Sequence, residues 1–117
     1  EPAMVGQCHC KDCQKVTGSM METAVVVPKD SFKLLKGKAK DYLTTGESGK
    51  KVHRFFCPEC GSRLFGDAEA MAGTWIVLAG SMDDPSWIKP SMHIFTSSAQ
   101  PWATIPKDAV RFPKMPG

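Results

Sequence analysis

Five cysteines fall in two tight groups, Cys8-His9-Cys10-Lys11-Asp12-Cys13 and Cys57-Pro58-Glu59-Cys60-Gly61. A disulfide framework spreads its cysteines along the chain and pairs them all, which an odd number does not allow. Clusters adjacent in sequence suit a metal ion instead, because a C-x-x-C turn sets two sulfurs about one tetrahedral centre. In the second group Pro58 fixes φ within the turn, and Gly61 is free to take φ > 0 where the backbone amides swing toward the thiolates. The first group, C-x-C-x-x-C, offers three thiolates in one short stretch. Three protein ligands with a fourth position free is the pattern of a catalytic zinc. Spacing leaves a closed arrangement open as well: Cys10 and Cys13 joined by Cys57 and Cys60, with Cys8 left over. His9, in an extended segment, points away from its cysteine neighbours and reads as a solvent-facing or outer residue rather than a ligand.

The rest of the chain reads as one mainly β domain. Ten glycines and nine prolines in 117 residues favour short strands and many turns over long helices, while 42% hydrophobic residues suffice for a core. Lys11 to Thr17 predicts a short helix stopped by Gly18. Strands are predicted at Ala24–Val27, ended by Pro28, at Ser62–Phe65, at Trp75–Ala79 and at Met92–Phe95. Phe32–Leu35 leads to a turn at Gly37. Lys40–Leu43 and Lys51–Phe56 flank a loop containing Gly46 and Gly49, a hairpin pattern. Asp83-Asp84-Pro85 reads as a turn whose carboxylates cap backbone amides, and Arg111 to Gly117 as a trailing segment. The seven methionines show no helical stripe and read as core filler.

Several classes are disfavoured. The longest apolar run, Trp75–Ala79, is far below the roughly 20 residues of a membrane span, and Glu1-Pro2-Ala3-Met4 lacks the basic start and apolar centre of a secretory signal. The net charge of +3 is modest and its lysines are dispersed, which argues against a nucleic-acid surface. The expected setting is cytoplasmic.

Cys-His-Cys-x-x-Cys-Gln-Lys, Phe-Phe-Cys-x-x-Cys-Gly-Ser, Gly80-Ser81-Met82-Asp83-Asp84-Pro85, His93-Ile94-Phe95 and Pro101-Trp102 follow one another in that order. The series resembles the glutathione-dependent formaldehyde-activating family, also called the GFA or CENP-V domain family, over nearly the whole chain. The resemblance implies an Mss4-like, zinc-bound β-sheet domain with at most one or two short helices, spanning 1–117. It also implies a catalytic zinc on Cys8, Cys10 and Cys13, and a structural zinc for which Cys57 and Cys60 supply two of four ligands. Family members carry an earlier C-x-C on a first strand, and no cysteine precedes Cys8 here. The chain is therefore expected to lack that strand, and an unpaired sheet edge would let two copies dimerise.

The implied activity is that of a carbon–sulfur lyase acting on a glutathione or similar thiol adduct. A zinc on the first cluster would take the substrate sulfur as fourth ligand and ionise it. Three thiolates weaken such an ion as a Lewis acid, which favours exchange of a labile sulfur, with Cys10 as the ligand that dissociates. Glutathione carries two carboxylates, and Lys11, Lys15, Arg54 and Arg63 lie near the two cysteine groups in sequence; each also reads as a solvated surface charge. His93 and Trp102 match the family's active-site rim, and Trp102 reads equally as core packing. Lys15, Arg54, His93 and Trp102 are the expected substrate contacts. The alternative function is a non-catalytic, zinc-stabilised binding module. A methionine sulfoxide reductase is disfavoured, since that chemistry needs a nucleophilic cysteine later in the chain and none follows Cys60.

Overall fold

Short β-branched and aromatic runs punctuated by Gly and Pro favour a sheet. In the computed structural model, which describes residues 4–33, 38–46 and 49–115, they form one. Its strands are β1 (Met4–Cys8), β2 (Glu22–Pro28), β3 (Lys40–Thr45), β4 (Lys51–Phe56), β5 (Arg63–Ala68), β6 (Thr74–Leu78), β7 (Met92–Ile94) and β8 (Val110–Arg111). Their order across the mixed sheet is β3-β4-β5-β6-β2-β1-β7-β8. The β1–β7 and β7–β8 pairs are parallel and the others antiparallel. One α-helix, α1 (Lys11–Thr17), occurs among the described residues and starts and stops where the sequence placed it. No helix among them is long and apolar enough to cross a membrane.

Two strands were not legible in the sequence. β1 contains Gly6 and Gln7, weak strand formers, yet it is held on both sides, by β2 and β7. β8 has two residues, and the segment after it does not trail. Phe112 N–H donates to His93 O (2.9 Å) and Phe95 N–H to Lys114 O (3.1 Å), so the C-terminal stretch is stitched to β7. Leu34, Leu35 and Gly37 lie outside the described residues, and Phe32 lies in no strand but packs on Phe65 and Trp75. The edges of the described sheet are β3 and β8.

Register sorts the side chains onto two faces, because residues paired across strands point the same way. One row runs Phe55–Phe65–Val77–Val25–Val5. Phe65 is its centre: Phe55 stacks on it at 4.8 Å between centroids, and Trp75 meets it edge-on at 5.3 Å. Lys29 caps this layer, with Nζ 4.4 Å from the Trp75 ring and 2.9 Å from Asp67. The adjacent row, Arg54–Gly66–Ile76–Val26–Met4, faces the other way, as do Cys8, Gly6 and Ala24. That second face is floored by small residues and carries the site.

Candidate metal centre

Cys8 ends β1, Cys10 caps the N-terminus of α1, and Cys13 sits in the first turn of α1. Cys10 is extended (φ −64°, ψ 156°), and its sulfur accepts the Cys13 backbone N–H at 3.3 Å, the task a Ser or Asp usually performs at this position. At the other end Gly18, at φ 66°, closes α1 in the left-handed region. This strand-to-helix bend brings all three sulfurs within 4.8 Å of one another. Tetrahedral thiolate coordination at about 2.3 Å per bond needs sulfurs roughly 3.8 Å apart. A small inward adjustment gives that spacing, and soft thiolates suit a thiophilic ion, so the donor set fits a metal.

Gln14 holds the bend. Its Nε2 donates to His9 O (2.7 Å) and Ser98 O (3.0 Å), while its Oε1 accepts from Gln100 (2.8 Å). Hydrogen bonds among the three thiols favour the anion on Cys10. Cys10 is pulled down to about 2 by the thiols of Cys13 and Cys8 that hydrogen-bond to it, with the Cys13 amide and the positive charge of Arg54 assisting. Cys8 is pushed up to about 12, chiefly by its hydrogen bond to Cys10, and Cys13 is pushed up for the same reason, with burial and the nearby Glu22 carboxylate adding to it. Metal uptake therefore displaces protons from Cys8 and Cys13.

The cluster opens on a cavity of about 130 Å³ that Arg54, Glu22 and Arg63 also line. Arg54 is 6% exposed, and its Nη1 has no hydrogen-bond partner among the described residues. It projects from β4 opposite Gly66, where only glycine fits because a side chain would collide with the backbone oxygen of His53. A buried guanidinium nitrogen without a partner is costly, and an anionic ligand is its natural complement. Glu22, next to Cys8 in register, accepts a hydrogen bond from Arg63 Nη1 at 3.1 Å, and both side chains are largely buried. The sequence reading passed over Glu22. Period-two spacing from Ala24 and Val26 could have put it on this face.

The other expected contacts lie elsewhere. Lys15 is exposed near the C-terminal end of α1, where its charge suits the helix dipole. Trp102 is 68% exposed, so it packs into no core, and neither residue lines the cavity. His93 is 2% exposed and likewise stands outside the lining. It meets His9, which is fully buried rather than solvent-facing, with Nε2 of His9 3.1 Å from Nδ1 of His93. Strand alternation turns His9 away from the cysteines, as the sequence implied, but β7 covers it there. Burial lowers the pKa of both rings, helped by His93 at His9 and by Arg111 at His93.

Cys57 and Cys60 form a separate turn between β4 and β5, closed by Gly61 N–H donating to Cys57 O at 2.8 Å. Gly61 takes φ 78°, as the sequence predicted. Cys57 is half-buried and Cys60 exposed, with Cys60 Sγ 3.2 Å from Ser62 Oγ. No third metal-binding side chain joins them among the described residues. The methionines also depart from the core-filler reading, since Met4, Met71, Met92 and Met115 line the cavity.

A family profile described as "Glutathione-dependent formaldehyde-activating enzyme" matches residues 1–98. The chain belongs to this family. Among similar proteins, one from Penicillium rubens is 29% identical over 104 residues, covering 86% of this chain and 53% of its own. One from Aspergillus flavus is 31% identical over 94 residues, covering 78% of this chain and 48% of its own. One from Podospora anserina is 28% identical over 94 residues, covering 78% and 43%. All three carry the name "Putative glutathione-dependent formaldehyde-activating enzyme". The chain spans about half the length of the curated relatives it matches.

Proposed function

We propose that this protein joins a thiol of the glutathione type to an aldehyde, or separates such an adduct, as a zinc-dependent carbon–sulfur lyase. The observation that carries the reading is the convergence of three cysteine sulfurs and an unpartnered, buried Arg54 nitrogen on one cavity. Family membership and the names of the relatives support it further.

In the reaction the sulfur–carbon bond forms as the carbonyl π bond opens, and the thiol proton ends on the former carbonyl oxygen. Cys8, Cys10 and Cys13 are the residues that would hold zinc. When bound, it supplies the positive charge that keeps a substrate sulfur ionised near neutral pH. Arg54 donates from its unpartnered Nη1 to a substrate carboxylate, which orients the thiol toward the cysteine end of the cavity. Arg63 pins Glu22, so this carboxylate stays paired instead of repelling the incoming anion. The largely apolar surface of the cavity lowers the local dielectric and strengthens both effects. His93 supports the bend from behind through His9, while Lys15 and Trp102 serve as outer contacts for the peptide part of the thiol. Cys57 and Cys60 would hold a second, structural metal given two further donors. Five free thiols suit a reducing compartment such as the cytoplasm.

The test is the rate of adduct formation from glutathione and formaldehyde over the spontaneous rate, measured with metal per chain for wild type and Cys10→Ser. Bound zinc and acceleration are expected in wild type, and both fall in the variant. Unchanged turnover in Cys10→Ser overturns the reading.

A further inference from the structure

Strict alternation along β5 would give Arg63 the same face as Phe65, the aromatic side of the sheet. The β4–β5 register does otherwise. Phe55 pairs with Phe65, but Phe56 pairs with Arg63, so Leu64 is skipped in a β-bulge. Such a bulge re-aims the side chains beyond it. Arg63 therefore shares a face with its partner Phe56 and with Arg54, two residues earlier on β4. That is the face carrying the cysteines. Arg63 accordingly lines the cavity and reaches across β6 to Glu22 on β2.

Arg54 and Arg63 thus stand as diagonal neighbours on adjacent strands, a separation that long side chains span. Each has a buried nitrogen without a hydrogen-bond partner among the described residues, Nη1 of Arg54 and Nε of Arg63. Among those residues Glu22, 3.1 Å from Arg63 Nη1, is the carboxylate ion-paired with either guanidinium. Two guanidiniums side by side with one paired carboxylate leave one positive charge and two N–H donors unanswered. For groups removed from water this is costly. One further carboxylate answers both needs, since it brings one negative charge and two acceptor oxygens. A hydroxyl or amide would meet a hydrogen bond and leave the charge.

We infer that Arg54 and Arg63 clamp a single substrate carboxylate between them, so the thiol handled here is selected by one carboxylate, with Arg63 a specificity-determining residue. Arg54 donates from Nη1 to one oxygen and Arg63 from Nε to the other, while Arg63 Nη1 keeps its bond to Glu22. A second carboxylate, where the thiol carries one, lies outside the clamp and adds little. This inference rests on the reading of Cys8, Cys10 and Cys13 as the thiol-handling centre and of Arg54 as a carboxylate donor.

The experiment is calorimetric titration of the zinc-loaded protein with glutathione and two analogues that each keep one carboxylate. One is the ethyl ester at the glycyl carboxylate, the other the amide at the glutamyl α-carboxylate. One analogue should bind within about threefold of glutathione, and the other, whose clamped carboxylate is masked, at least about 10-fold more weakly. Arg63→Lys keeps the charge beside Glu22 and loses the Nε donor. It should weaken glutathione and the tighter analogue about 10-fold and leave the weaker analogue unchanged. Glu22→Gln/Arg63→Met, which removes both charges of the buried pair together, serves if Arg63→Lys does not fold. Equal losses from the two maskings, no loss from either, or wild-type glutathione binding in the Arg63 variant overturns the clamp and leaves the thiol-handling reading standing. Failure of glutathione itself to bind the wild type overturns both.

Discussion

The two cysteine groups look alike as sequence and differ as structure. Cys8, Cys10 and Cys13 are shared between the end of a central strand and the first turn of a helix, so the sheet surrounds them and supplies Arg54, Glu22 and a cavity. Cys57 and Cys60 sit in one tight turn that projects from the sheet, with Cys60 exposed. Both turns present sulfur. Among the described residues, only the first presents it to a cavity that a buried arginine with an unpartnered nitrogen also lines. Spacing identifies residues able to ligate; their place relative to a sheet face decides whether a substrate can meet them.

The largest expected effect separates the groups directly. Loss of an outer-shell partner typically costs a metal site 10- to 100-fold, so losing a ligand in Cys10→Ser should lower kcat/KM at least about 100-fold. Cys60→Ser should act on the thermal midpoint instead. A Cys10→Ser variant as active as wild type, or an equal loss of turnover from both variants, removes the distinction. Next comes Arg54→Met, which keeps the bulk and removes the charge. With a carboxylate-bearing thiol kcat/KM should drop about 10- to 100-fold, and with neutral 2-mercaptoethanol it should change little. Equal losses with both thiols would show that Arg54 only supports the fold.

A smaller effect concerns the histidines behind the first group. Burial holds both imidazoles below their ordinary 6.5 in the folded protein, so below that pH the unfolded chain binds more protons. Stability is complete above about pH 6.5 and declines beneath it, by at most about 1.4 kcal/mol per pH unit for each ring. Urea midpoints of metal-saturated protein on either side of about pH 6.5 should show the decline, and His93→Gln should flatten it. A wild-type profile level across that range contradicts the buried neutral pair. The smallest effect belongs to the projecting turn. Gly61→Ala places a side chain at φ 78° and should cost about 1 kcal/mol of stability, with kcat/KM unchanged; a large kinetic loss would tie this turn to the cavity.

Local rules made α1, its Gly18 stop and the β3–β4 hairpin legible, because caps and turn residues act within a few positions. The Asp84 turn was legible for the same reason: its carboxylate accepts the Ser86 N–H at 3.0 Å. β1 and β8 escaped, since their pairing is with strands distant in sequence, β1 contains Gly6 and Gln7, and β8 is only two residues long. At the site, the sulfur cluster could be read from spacing. The Glu22–Arg63 pair, the burial of His9 and the cavity's methionine walls could not, because each depends on register between separate strands. Trp102 shows the opposite failure: an aromatic residue after proline suggested packing, and the chain leaves it in solvent.

The central claim is that metal held by the sulfurs at the end of β1 makes the protein active. Turnover should be followed against metal per chain during chelator titration, in a Cys57→Ser/Cys60→Ser background so that the metal counted belongs to the first group. Activity that falls in proportion to metal and returns on adding zinc is the expected result. Stripped protein that keeps its full rate would contradict it.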